Sequence, residues 1–329
     1  MVKAVADHSI LYERGPVGVL LIHGLGGTPV EMRDIARRLA AAGYTVMCCQ
    51  LAGHCGTEDD LTGTGFEDWY DSAVDALHEL EKRCSTILVG GLSMGAVLAA
   101  LVAARQPQRV RGLVMLAPTL TYDGWSIPKY SFLLRLFINT PFGRRYRFEE
   151  REPYGLKDER TRAMVAYSMR HGSSAEAGLL ATPAIALREL WRLTAKIKPM
   201  LPLIRQRTLV VHARHDDIAS LDNAITLQRR LGGVVDTMVL EDSYHLVTVD
   251  RQRHLVGERV VEFVGRIARD VEAERTEPTG WARPATAAKL AAASAVAEAG
   301  AVPGALEPAD LVPGLGSAAL ASVGAGHGS

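Results

Sequence analysis

The run Ile87-Leu88-Val89-Gly90-Gly91-Leu92-Ser93-Met94-Gly95, continued by Ala96 to Ala104, constrains this chain more than any other stretch. A short apolar segment that ends in glycines predicts a strand buried on both faces, and the alanine- and leucine-rich run after it predicts a helix. Gly91-Leu92-Ser93-Met94-Gly95 therefore puts a serine on a tight strand-to-helix turn. Such a turn strains the serine backbone, and the flanking positions need residues without a Cβ so that strand and helix can pass closely. The new helix also aims its free N–H groups at the serine, which favours negative charge there. An incidental serine in a glycine-rich turn would share these five residues, so the rest of the chain decides.

Taken in order, Val17 to Ile22 reads as another doubly buried strand, ending in the loop His23-Gly24-Leu25-Gly26-Gly27-Thr28-Pro29. Thr28 is a candidate N-cap and Pro29 a first helical residue, with a helix to Ala42 and a C-cap at Gly43. A strand from Tyr44 to Gln50 leads into Leu51-Ala52-Gly53-His54-Cys55-Gly56, and a helix spans Phe66 to Arg83. The elbow, its helix and a strand from Val110 to Leu116 follow. This alternation predicts an α/β architecture, a mostly parallel sheet with helices on both faces.

The rhythm breaks after Ala117-Pro118. From 119 to 206 no βα unit is evident, and segments such as Thr161 to Arg170 and Pro183 to Ile197 read as helices, so a mainly helical cap over the strand ends is expected. The sheet resumes at Thr208-Leu209-Val210-Val211, with a helix from Leu221 to Leu231, a strand from Val234 to Leu240 and a last amphipathic helix from Asp250 to Ala273. The domain reading is thus a core in two parts, 1–118 and 207–273, with 119–206 inserted. Residues 274–329, rich in Ala, Gly and Pro, bury too little apolar surface to offset ordering entropy and are expected to be disordered.

Composition narrows the partners. Lys plus Arg equals Asp plus Glu at 37 each, so no global field favours nucleic acid, and neutral small molecules fit better. No apolar run nears the roughly 20 residues that span a bilayer, and the first residues lack the apolar core of a signal peptide, so a cytoplasmic protein without stable membrane insertion is expected. Cys48, Cys49, Cys55 and Cys84 match neither a disulfide framework nor a common zinc spacing, and reduced, partly buried thiols are expected.

A serine hydroxyl is a poor nucleophile near neutral pH and needs a histidine base oriented by a carboxylate. The loops after the later strands supply both: Asp216 in Ala213-Arg214-His215-Asp216-Asp217, and His245 in Glu241-Asp242-Ser243-Tyr244-His245. Asp216 is preferred over its neighbour Asp217, which reads as solvent-facing or as a helix start. Asp242 reads as a surface residue and Asp250 as a helix cap. His23 reads as a brace for the glycine loop, and His212, which continues a buried strand, as a core or supporting histidine. A tetrahedral oxyanion needs two N–H donors: one from Met94, after the serine, and one from the glycine loop, with Leu25 first and Gly24 or Gly26 as alternatives. Gly24 and, from the insertion, Trp125, Ile127, Leu133 and Phe137 are the candidates to line an acyl pocket; the alternative is that the aromatics form the cap's own core.

Together, His23-Gly24-Leu25-Gly26-Gly27-Thr28, Gly53-His54, Phe66-Glu67-Asp68-Trp69, Gly91-Leu92-Ser93-Met94-Gly95, Ala213-Arg214-His215-Asp216 and Ser243-Tyr244-His245 resemble the bacterial carboxylesterases and monoacylglycerol lipases of the α/β-hydrolase superfamily. The resemblance runs from about Val17 to Ala268. It implies a cofactor-free serine esterase acting on small carboxylic esters of short or medium chain, monoacylglycerols among them, with Ser93, Asp216 and His245 as triad and Leu25 and Met94 as oxyanion hole. Cys55 stands where these proteins often have glycine, and the insertion looks longer than their usual cap. An acyltransferase or thioesterase with the same triad, or a non-catalytic binding protein on the same fold, are the rival readings.

Overall fold

The computed structural model describes residues 5–127, 134–149 and 151–276. Its centre is a seven-stranded sheet made of β1 (Ile10–Tyr12), β2 (Val17–Ile22), β3 (Thr45–Cys49), β4 (Thr86–Leu92), β5 (Gly112–Leu116), β8 (Arg207–Ala213) and β9 (Val235–Leu240). The strand order is β1-β3-β2-β4-β5-β8-β9, and every pairing is parallel except β1 with β3. Alternate residues of each inner strand serve different layers. Leu20 and Ile22 of β2 join one apolar cluster, while Val19 and Leu21 join the other.

On the first face lie α3 (Phe66–Glu81), α4 (Met94–Arg105), α9 (Ala184–Ile197) and α10 (Asp222–Arg230); on the second lie α1 (Arg33–Ala41) and α11 (Arg253–Thr276). Helix α4 is buried all round from Met94 to Ala103, as its unbroken apolar sequence demands. The first helix begins later than its proline suggests: Thr28 caps a 3-10 turn over Pro29–Met32, accepting from Val30 N at 3.2 Å, before α1 starts at Arg33. The last helix starts at Arg253 and not at Asp250, whose carboxylate is engaged elsewhere.

The segment between β5 and β8 divides in two. Residues Ala184 to Leu203 form α9 and a following 3-10 turn, and the buried side of α9, with Leu187, Leu190, Leu193 and Ile197, packs into the first core cluster beside α4. The preceding stretch holds short helices α5 (Leu134–Phe137), α6 (Pro141–Arg144) and α8 (Ser174–Ala177), the longer α7 (Glu159–His171), and a small antiparallel pair, β6 (Arg147–Glu149) with β7 (Ala181–Pro183). Neither β1 nor this pair is apparent in the sequence, because three residues cannot display a period of two. All four cysteines are unpaired and buried. The tail beyond 276 and Leu133 lie outside the described residues. No described helix is long and apolar enough to cross a membrane.

Candidate active site

Ser93 occupies the turn between β4 and α4 with φ 56° and ψ −117°, a left-handed conformation that a serine adopts only when its surroundings enforce it. The enforcement comes from close packing. A Cβ on Gly91 would stand 2.4 Å from the Gly95 carbonyl, and one on Gly95 would stand 2.3 Å from the carbonyl oxygens of Ile22 and His23. Both positions therefore exclude every residue but glycine. Ser93 N donates to Leu116 O at 2.9 Å, tying the turn to the end of the neighbouring strand.

Three strand-end loops converge here. Ser93 Oγ is 2.8 Å from His245 Nε2, and His245 Nδ1 is 2.8 Å and 3.0 Å from the two oxygens of Asp216. A carboxylate only accepts, so Nδ1 carries the proton, and Nε2 is left as the acceptor of the serine O–H. Asp216 Oδ1 also accepts from Ile218 N at 2.9 Å and Ala219 N at 2.8 Å. Burial alone would push the Asp216 carboxyl up, but His245 and these N–H donors bring it below the ordinary carboxylate value. For His245, burial opposes the imidazolium, but the Asp216 carboxylate outweighs it and holds the histidine above its ordinary value. Such an arrangement can supply a base for the serine proton and a fixed negative charge to stabilise the cation that would form.

The glycine loop closes the other side. A Cβ on Gly24 would be 3.7 Å from Ser93 Cβ, so the Gly24–Leu25 backbone lies against the serine. Gly24 N donates to Glu31 Oε2 at 3.0 Å, which holds the loop in place. Met94 is the first residue of α4, where an N–H has no acceptor within its own helix. His23 braces the loop as expected: Nδ1 donates to Gly24 O at 2.9 Å and Nε2 accepts from Leu51 N at 3.3 Å. Burial lowers its pKa to about 4, so it is neutral. His212 is likewise buried, its Nε2 donating to Ala219 O at 2.8 Å, 3.5 Å from Asp216.

Above Ser93 opens a cavity of about 150 Å³, whose apolar walls include Tyr122, Tyr154, Val165, Met169, Leu179 and Leu246. Gly24 and Leu25 border it, together with the charged side chains of Glu31 and Arg151. Of the candidates drawn from the insertion, Leu133 is outside the described residues, and Trp125, Ile127 and Phe137 are not among those that border the cavity. Trp125 is 59% exposed, with its indole N–H on His215 O at 3.0 Å and its ring edge-on to Tyr244. Ile127 closes a turn through its N–H on Gly124 O and does not line the cavity. Phe137 is 39% exposed and packs against Tyr146. Apolar character marked these positions, but it does not tell a cavity wall from a helix packed elsewhere in the same insertion.

Two carboxylates are also placed differently. Asp217 does not face solvent: it is 1% exposed and accepts from Gly155 N and His245 N. Burial raises its pKa. Asp250 caps no helix and is buried, accepting from three backbone N–H groups. Asp242 is on the surface as read, paired with Lys157 and Arg251. Thr119 joins the site without any motif in the sequence to mark it. It is fully buried, and its hydroxyl stands 3.1 Å from Ser93 Oγ and 3.3 Å from Ala117 O. Because the serine proton goes to His245, the Thr119 proton is the one shared between those two acceptors.

The parallel sheet, the strained serine after β4 and the acid and histidine after β8 and β9 define the α/β-hydrolase fold. Residues 17–252 match the Hydrolase_4 family, described as serine aminopeptidase S33, and the chain belongs to that family. It is 32% identical over 265 residues to a thermostable monoacylglycerol lipase of Bacillus sp. (strain H-257), covering 78% of this chain and 93% of the relative. It is 26% identical over 270 residues to a carboxylesterase of Bacillus subtilis (strain 168), covering 80% and 99%. Among solved structures, one from a study of two metagenome-derived lipolytic enzymes superposes with a TM-score of 0.67 at 26% identity, over 78% of this chain and 97% of that one. The monoacylglycerol lipase of Paleococcus ferrophilus superposes with a TM-score of 0.65 at 15% identity, over 80% and 99%.

Proposed function

We propose that the chain is a serine ester hydrolase of the carboxylesterase and monoacylglycerol lipase type, with Ser93 as nucleophile, His245 as general base and acid, and Asp216 as the orienting carboxylate. The observation that carries this reading is the hydrogen-bonded line from Ser93 Oγ through His245 to Asp216, at 2.8 Å for each step, on the floor of an apolar-walled cavity. Ser93 Oγ attacks the ester carbonyl while His245 Nε2 takes its proton. The N–H groups of Leu25 and Met94 receive the oxyanion. Collapse expels the alcohol, protonated by His245, and leaves Ser93 acylated. Water, deprotonated by His245, then attacks the acyl group and frees the acid. The small cavity favours esters of short to medium chain, and its mixture of apolar walls with Glu31 and Arg151 suits a monoacylglycerol, whose head is polar and whose tail is not.

Replacing Ser93 by Ala is expected to lower kcat on an aryl ester by roughly 10⁴-fold or more with the fold retained. A fluorophosphonate should label the wild-type chain and not this variant. Hydrolysis by Ser93→Ala at the wild-type rate would exclude the mechanism. An acyl-transfer role would appear instead as preference for an added alcohol over bulk water in the products.

A further inference from the structure

The inserted segment from Tyr154 to Asp158 is fastened to the loop that carries His245 by two buried carboxylates on different parts of the core. Asp217 Oδ2 accepts from Gly155 N at 3.1 Å, and its Oδ1 accepts from His245 N at 3.3 Å. Asp250 accepts from Lys157 N at 3.0 Å, Asp158 N at 2.9 Å and Tyr244 N at 2.7 Å. Leu246 N donates to Gly155 O at 2.8 Å between them. The two backbones run so close that a Cβ on Gly155 would stand 3.2 Å from His245 Cβ and 3.0 Å from Leu246 Cγ. Tyr154 takes φ 55°, which a tyrosine keeps only where its neighbours over-determine it. Tyr154, Gly155, His245 and Leu246 all border the cavity above Ser93.

We propose that Asp217 is a positioning residue that locks the Tyr154–Gly155 wall of the cavity in register with His245 and thereby sets which ester chains the site accepts. It touches no reacting atom. Its two oxygens hold one N–H on the histidine loop and one on the cavity wall, so of the ties between loop and wall it is the one that bonds directly to the backbone of both His245 and Gly155. Asp250 and the Leu246–Gly155 bond still tether the segment when Asp217 is lost, so the effect is a misplaced wall and not an unfolded protein. A chain that extends along the wall feels the misplacement; an acetyl group, which ends close to the reacting carbon, does not.

This inference rests on the serine ester hydrolase reading, and the experiment separates the two. Full-length wild type, Asp217→Ala and Asp217→Asn are compared on p-nitrophenyl esters from acetate to dodecanoate, with fluorophosphonate labelling of each. For Asp217→Ala, kcat/KM on octanoate is expected to fall about 10-fold or more, mainly through KM, and on acetate about 3-fold or less. Asp217→Asn keeps one acceptor oxygen but turns an amide NH₂ toward the other N–H, so its profile should lie between the two. Loss by one common factor across all chain lengths, or an unaltered profile, overturns the proposal. If Asp217→Ala does not fold, the Asn variant is judged by the same criterion. A wild type that neither labels nor hydrolyses any ester defeats the underlying reading, whatever the variants do.

Discussion

The loops that follow the strands and the segment inserted between β5 and β8 both border the same cavity, but they are held by different means. Ser93, Asp216 and His245 each follow a strand of the parallel part of the sheet, so their backbone positions derive from ladder pairing such as Leu92 with Leu116 and Ala213 with Leu240. The part of the insertion over the site has no such frame. Helix α7 buries none of its residues, and the wall at Tyr154–Gly155 is held by Gly155 N on Asp217, by Leu246 N on Gly155 O and, just beyond, by Lys157 N and Asp158 N on Asp250. The chemistry is thus placed by packing and the specificity by a few polar ties. Damage to the two regions should differ accordingly.

The largest effect is expected where packing leaves no freedom. In Gly95→Ala the new methyl meets two backbone oxygens of β2 and its following loop, at 2.3 Å, and neither can move without breaking the sheet. We expect a loss of at least about 3 kcal/mol, seen as a fall in Tm or as insoluble protein, with no esterase activity in what remains. A variant that folds and turns over normally would mean that the elbow is not the rigid junction described. Next comes Asp216→Asn, which keeps the shape but lets His245 take the wrong tautomer. A kcat loss of roughly 10³- to 10⁴-fold is expected, with Tm changed far less than in Gly95→Ala.

The same pair of residues fixes the pH response. His245 must be neutral to accept the serine proton, so kcat/KM rises with pH through its pKa. Since Asp216 holds that pKa above the ordinary histidine value of about 6.5, the acid limb of the wild type should be centred above it. In Asp216→Asn, burial acts without the compensating charge, and the limb should move to lower pH. A limb that stays in place would dissociate the titrating group from His245.

Thr119 tests the boundary between the two regions, since it lies just past β5, where the insertion starts. Its hydroxyl donates to Ser93 Oγ or to Ala117 O, and the first choice supports the oxygen as it takes on charge. Thr119→Val, which keeps the shape, is expected to lower kcat about 10-fold with KM little changed, and Thr119→Ser to restore most of it. Equal losses in the Val and Ser variants would reduce Thr119 to packing.

Legibility follows the same division. The doubly buried strands, the capped loop at Thr28 and the glycines around Ser93 each need particular side chains, so residue types betray them. Ser93, Asp216 and His245 could be aligned because each stands at a recognisable strand end. Asp217 and Asp250 could not, because their partners are backbone N–H groups, those in the insertion at sequence separations of 62 to 93, and every residue but proline offers one. Adjacent aspartates in a loop look alike until the fold buries one against a distant turn. Thr119 is hidden for a related reason: a hydroxyl after a strand carries no period and no motif.

The smallest effect is expected in the insertion's aromatic residues that its apolar sequence brings forward. Phe137 leans on Tyr146, and Tyr146 on Phe148 of β6, which makes a ladder of edge-to-face rings away from the cavity wall. Removing the first ring takes away one such contact, worth about 1 kcal/mol or less at a partly exposed position. It leaves Tyr154, Val165, Met169 and Leu246 where they are. Phe137→Ala should therefore hold kcat/KM within about 2-fold of wild type for every chain length, with a small drop in Tm. A selective loss on long esters would bring this ladder into the path of the substrate, and the polar ties at Asp217 would then share control of specificity with it.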